Sequence, residues 1–183
     1  MNLPNKLTVA RVILVPIFII LYIAKFYIPA LIVFIIASIT DTLDGRLARK
    51  RNQITNFGKI MDPLADKILV YSAFCLLIPE YVKSWMLIII LAREFTISGI
   101  RTVAASEGIV IAAGLSGKLK TALQMVAVPF ILFYIVLQQY LPDQPVVLKV
   151  VFTVSQILLW ASIIMTVYSG AEYIIKNKQV FKR

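Results

Sequence analysis

The sequence predicts an all-α polytopic membrane protein with six transmembrane helices, and three observations carry that reading. Of its 183 residues 60% are hydrophobic and only 15% are charged, too little polar surface to cover a water-soluble globule of this size. The apolar residues fall in long runs broken by short polar stretches, as expected of helices that cross about 30 Å of hydrocarbon with roughly 20 residues each. Those runs carry no alternation of polar and apolar residues, which argues against a membrane barrel.

The first span is expected over 9–27. Ahead of it, Pro4 sits where a first helical turn can start and Leu3, Leu7 and Val9 offer apolar contact, so residues 2–11 are either a short N-terminal interfacial helix or the frayed start of the span. No small-residue cleavage site follows the first apolar run, so no removable signal peptide is expected. The second span is expected over 29–50 and the third over 63–78, with Pro29 and Pro79 where spans meet. The fourth, over 84–105, runs to the turn marked by Gly108, Gly114 and Gly117; the fifth covers 115–138 and the sixth, past Pro142, covers 146–175. Pro16 and Pro129 fall inside spans as candidate kinks. Short connections and the lack of an internal repeat point to a single domain over 1–183.

Charge sets the orientation. With both termini on one side, that side collects every one of the 19 Lys and Arg residues except Lys25, Lys83 and Lys149, and by the positive-inside rule it is cytoplasmic. The net charge of +10 is then accounted for by topology and by attraction to anionic membrane lipids. Nucleic-acid binding is not expected, because no soluble basic domain is left to hold a duplex. The lone Cys75 lies in an apolar run and reads as a small core residue, and the chain has no histidine. A zinc site with nitrogen and sulfur ligands is therefore not expected.

The second span starts as a plain apolar run and then reads Asp41, Thr42, Leu43, Asp44, Gly45, Arg46, Leu47, Ala48, Arg49. At 100° per residue Asp41, Asp44, Gly45 and Ala48 fall within about 100° of one another, a face with two acids and almost no bulk. Packing an apolar helix on that face would strand charge, so a cation and a ligand suit it better. Gly58 to Lys67 then opens the third span with Asp62 and Asp66 on one face. Asp62 before Pro63 is also a good helix start, which would account for Asp62 without chemistry but leaves Asp66 unexplained. Four carboxylates with no His or Cys make an all-oxygen set suited to two hard divalent ions, Mg2+ or Mn2+. Paired ions of that kind serve displacement at phosphorus.

The pattern D-x2-D-G-x2-A-R-x8-G-x3-D-x3-D, from Asp41 to Asp66, resembles the signature of the CDP-alcohol phosphotransferase family. Eight fixed residues at fixed spacing arise by chance at about 10⁻¹⁰ per position. The resemblance implies six transmembrane helices, a metal site at the cytoplasmic side of a bacterial cytoplasmic membrane, and a homodimer. It implies that Asp41, Asp44 and Asp62 hold metal, that Asp66 ligates the second metal and acts as the base, and that Gly45, Ala48, Arg49 and Gly58 adjoin the nucleotide. Asn5 and Thr8 also resemble the start of this group and are placed near the nucleotide.

A second stretch, Arg93 to Arg101 followed by Gly117, Lys118, Leu119, Lys120, Thr121 and Gln124, is similar to the bacterial members that use sn-glycerol 3-phosphate as acceptor and CDP-diacylglycerol as donor. Glu94, Ser98 and Arg101 make a stripe at steps of four and three, and Arg93 lies deeper than a snorkelling charge needs to be. Arg93, Arg101 and Lys118 are therefore the candidate acceptor-phosphate residues. The alternatives stand beside this reading: an Arg paired internally with Glu94, and a Lys118 that is only a topology charge at a cytoplasmic helix start.

Overall fold

The computed structural model describes residues 3–51, 56–109, 111–112 and 114–178, and among these it is wholly helical. The described helices are α1 (Leu3–Ile23), α2 (Tyr27–Arg51), α3 (Asn56–Leu76), α4 (Ser84–Ser106), α5 (Leu115–Tyr140) and α6 (Pro145–Lys176). Two of them, α5 and α6, are long and apolar enough to cross a membrane; α1, α2 and α3 carry shorter apolar stretches, Val9–Ile23, Tyr27–Thr40 and Lys67–Leu76.

Chain order and packing order differ. Neighbour contacts run α1 to α2 to α5 to α6 to α4 to α3 and back to α1, closing a ring, and α3 also reaches across it to α5. The inside of the ring is filled from each helix by residues at steps of three and four. Val15 and Phe18 come from α1, Ala30, Phe34 and Ala37 from α2, and Leu69, Ala73, Phe74 and Leu77 from α3 and its end. Met86 and Ile90 come from α4, Val128, Ile131 and Ile135 from α5, and Leu159 and Ile163 from α6. Phe18 and Phe34 meet edge to face with centroids 5.5 Å apart. Outward, Ile20, Ile32, Ile36, Ile88, Ile157 and Ile164 stand exposed along their helices. An apolar outside around a packed inside is the arrangement that lipid, rather than water, stabilises.

Hydroxyls in this apolar setting bond to their own helices. Ser38 donates to the Phe34 carbonyl at 2.8 Å, Ser162 to Leu159 at 2.7 Å and Thr166 to Ser162 at 2.7 Å. No hydrogen-bonding group among these three is left to the hydrocarbon. Helices α1 and α5 run unbroken through Pro16 and Pro129.

Several expectations change. The N-terminal residues are continuous with α1 from Leu3, so no separate interfacial helix precedes it among the described residues. The first span ends at Ile23 rather than at residue 27, because Lys25 adopts φ 61. Phe26 N–H donates to the Leu21 carbonyl at 2.9 Å and Lys25 N–H to Tyr22 at 3.0 Å, which is a Schellman ending with lysine in the left-handed position that usually takes glycine. Helix α4 ends in the same way with the expected residue, Gly108 at φ 75, and Ile109 N–H donates to Ala104 at 2.8 Å. Helix α3 opens at Asn56, six residues before Asp62, so Asp62 is not a helix start. Cys75 is exposed, not a core residue: it lies two residues past the buried Ala73 and is turned about 200° away from it.

Replacing Lys25 by Gly removes a left-handed lysine, so Lys25→Gly is expected to raise stability by about 0.5–1 kcal/mol. Thermal unfolding in detergent, compared between Lys25→Gly and the unaltered chain, measures it.

Candidate active site

Two sets of residues make up the candidate site, one on α2 and the first half of α3, the other drawn from α3, α4, α5 and α6. The backbone carries Asp41, Asp44, Gly45 and Ala48 along the last turns of α2, and Asp62 and Asp66 one turn apart on α3. The side chains of these residues, and of Arg49, Gly58, Asn5 and Thr8, lie outside the described set. Among the described side chains no three of His, Cys, Asp and Glu gather as a metal site. The donor set that the motif helices supply is all carboxylate, which suits hard divalent ions.

The second set is described in full and centres on Glu94. Along α4 the buried positions run Met86, Ile90, Glu94, Ile97, Ile100 and Ala104. Glu94 therefore occupies a core position, 8% exposed. An ionised carboxylate there needs compensation, and cations from three helices supply it. Arg93 Nη1 donates to Glu94 Oε1 at 2.6 Å, Lys120 of α5 donates to the same oxygen, and Lys67 Nζ of α3 stands 3.4 Å from Oε2. Lys67 also donates to Ser98 Oγ at 3.2 Å. Arg93 Nη2 donates to Ser169 Oγ of α6 at 3.1 Å, so one carboxylate ties α3, α4, α5 and α6 together.

Close approach of two helices makes room for Arg93. A Cβ placed on Gly117 of α5 would lie 3.4 Å from Arg93 Nη2, and one on Gly170 of α6 would lie 3.0 Å from Arg93 Cγ. At Gly170 a larger residue has to displace the arginine stem. Lys67 directly follows Asp66 in the chain, so the cation cluster adjoins the helix turn that carries the motif.

The other expected acceptor residues are placed differently. Arg101, two turns beyond Arg93, donates from Nε to the Tyr173 hydroxyl at 3.3 Å, and its guanidinium lies 5.4 Å from the centre of that ring. Lys118 is exposed, whereas Lys120 is buried at 3%. Sequence reasoning thus assigned no role to Lys67, Lys120, Gln124 or Ser169. A signal for two of them exists in α5: the buried stripe Ile135, Ile131, Val128, Ala127 continues back through Gln124 to Lys120, not to Lys118.

The CDP-alcohol phosphatidyltransferase family model matches residues 1–168, which takes in both sets apart from Ser169. The chain belongs to the CDP-alcohol phosphatidyltransferase family. A relative from Bacillus subtilis, named CDP-diacylglycerol–glycerol-3-phosphate 3-phosphatidyltransferase, is 42% identical across 99% of this chain and 97% of its own. A protein of the same name from Rickettsia typhi is 35% identical across 98% of this chain and 99% of its own. One from Escherichia coli K12 is 40% identical across 72% of this chain and 77% of its own.

Glu94 is the only acid in contact with three described cations, so Glu94→Gln leaves all three short of a counter-charge and is expected to cost about 3–5 kcal/mol. Lys120→Met still leaves Glu94 with Arg93 and Lys67, and is expected to cost roughly half as much or less. Unfolding midpoints of the two variants in the same detergent give the order, and a Lys120→Met protein less stable than Glu94→Gln would contradict it.

Proposed function

We propose that this protein transfers the phosphatidyl group of CDP-diacylglycerol to sn-glycerol 3-phosphate, giving phosphatidylglycerol phosphate and CMP. The observation that carries the reading is the adjacency of two chemistries: an acidic motif on α2 and α3, and a buried cluster of cations beginning at Lys67, the residue after Asp66. One set suits metal-assisted displacement at phosphorus and the other suits an acceptor that itself bears a phosphate. The relatives' names describe that same reaction.

In this reading Asp41, Asp44, Asp62 and Asp66 hold two divalent ions, Mg2+ or Mn2+, which when bound offset the charge that builds up around the reacting phosphorus. Asp66 takes the proton from the 1-hydroxyl of glycerol 3-phosphate. That oxygen attacks the phosphorus bearing diacylglycerol, and the bond from that phosphorus to the bridging oxygen breaks, so that CMP leaves with the electron pair. Gly45 and Ala48 keep the acidic face of α2 open for the CDP group, with Arg49, Gly58, Asn5 and Thr8 about the nucleotide. Arg93, Arg101 and Lys118 serve the acceptor phosphate, and burial adds Lys120 to them.

The same reading places all six helices across a bacterial cytoplasmic membrane, with both termini and the acidic motif on the cytoplasmic side and the protein as a homodimer. From Asp41 the motif occupies the last ~15 Å of α2 at 1.5 Å per residue, so its acids meet a lipid head group while the acyl chains stay in the bilayer. A soluble nucleotide donor would not need that depth.

Two outcomes test the proposal. CMP release by the purified protein with CDP-diacylglycerol and glycerol 3-phosphate is expected to depend on added Mg2+ or Mn2+ and to stop on chelation, and full turnover in metal-free buffer would sink the two-metal reading. Asp41→Asn, Asp44→Asn and Asp62→Asn are expected to lose metal binding along with activity. Asp66→Asn is expected to stop turnover while keeping more of the metal and nucleotide affinity, as measured by calorimetric titration.

A further inference from the structure

Resting on the phosphate-bearing acceptor proposed above, we infer that Gln124 is a binding residue of the acceptor pocket, its side-chain amide donating a hydrogen bond to an oxygen of the acceptor's phosphate. Gln124 is 2% exposed, and among the described residues its buried Nε2 has no hydrogen-bond partner. An amide donor left unpaired in an apolar interior destabilises the fold, so a purely structural residue at this position would be an apolar one of the same size. Its place on α5 says what the donor is for. Gly117, Lys120 and Gln124 follow at steps of three and four on one face of the helix. Gly117 is the residue whose added Cβ would approach Arg93 Nη2, and Lys120 is bound to Glu94, so that face looks onto the cation cluster.

Among the described residues the cluster is short of hydrogen-bond acceptors. Arg93 Nε of α4 is also buried without a partner among them, so two donors, one from α4 and one from α5, are unpaired. Three cations, Lys67, Arg93 and Lys120, share the one carboxylate of Glu94, which leaves two positive charges in surplus among the described side chains. Two spare donors and two spare positive charges fit a group with several oxygen acceptors and two negative charges, which is a phosphate monoester. A neutral polyol meets the hydrogen-bonding need but not the charge.

The test uses the full-length protein in detergent, unaltered and as Gln124→Met and Gln124→Glu. Gln124→Met is expected to unfold no lower than the unaltered protein, since it removes an unpaired donor. Its KM for glycerol 3-phosphate is expected to rise roughly tenfold, the range of one hydrogen bond to a charged oxygen, with the KM for CDP-diacylglycerol within about twofold. The rise in unfolding midpoint caused by inorganic phosphate, with glycerol as the control, is expected to shrink in Gln124→Met and to vanish in Gln124→Glu, whose carboxylate repels the anion. An unchanged acceptor KM and an unchanged phosphate response in Gln124→Met would overturn the inference, as would an unaltered protein that phosphate does not stabilise. A lowered midpoint with an unchanged KM would overturn it too, by showing that the amide bonds within the protein. If the unaltered protein releases no CMP with glycerol 3-phosphate, the proposed acceptor fails, and the phosphate response still decides Gln124.

Discussion

A carboxylate at a core position of a helix in apolar surroundings has to be matched by charge, and much of this structure's polar end follows from that constraint at Glu94. Without partners the ionised group would be untenable; with Lys67, Arg93 and Lys120 around it, it becomes the point at which α3, α4 and α5 are held, and through Ser169 also α6. The requirement spreads outward. Arg93 runs close to α5 and α6, where a Cβ at Gly117 would approach its Nη2 to 3.4 Å and one at Gly170 its Cγ to 3.0 Å. The other end of the ring is held differently, by tyrosine and glutamine. Tyr81 donates to Gln138 at 3.1 Å, Gln156 donates to the Tyr81 carbonyl at 3.3 Å, and Tyr81 packs against Tyr134 with centroids 5.9 Å apart. The described contacts thus gather charge at one end of the ring and neutral aromatics at the other.

In the proposed reaction the two polar sets would complement each other toward phosphate: the acids on α2 and α3 would repel an anion unless metal were bound, whereas the cations around Glu94 would attract one without it. Glu94 tempers that attraction: three positive charges gathered with no acid would be hard to bury and slow to release a dianion, and one carboxylate reduces the surplus to two. In that proposal a single residue would serve folding and ligand charge balance together.

The number of helices and most of their limits were legible because hydropathy runs are local in the chain and set by a bilayer-sized length. The errors came where one chemical cue stands for another. Lys25 in a left-handed helix ending carries none of the glycine signal that marks the equivalent turn at Gly108. Asp62 before Pro63 looks like a helix start, but α3 is already under way from Asn56. The acidic motif is a pattern of the sequence itself, since its spacing lies within 26 consecutive residues, and its side chains lie outside the described set. The cation cluster was legible only in part: Arg93 and Glu94 are neighbours in the chain, while their partners come from α3, α5 and α6. That Lys120 is buried and Lys118 exposed follows from a rotation of about 200° between them, readable by following the buried stripe of α5 back from Ile135.

Helix α6 has 32 residues, about 48 Å at 1.5 Å per residue, against a hydrocarbon layer of about 30 Å. Tilt alone would have to reach roughly 50° to hide it, beyond the 0–40° that membrane helices adopt. In the proposed bilayer one end therefore overhangs, and the end bearing the Lys176–Glu172 pair at 2.5 Å is the one able to stand in water. Tyr173 then lies at the level of lipid phosphates, with the Arg101 guanidinium against its ring. In that bilayer the overhang would act as a depth gauge, setting how far the ring sinks and so the height at which the proposed catalytic layer meets the head groups.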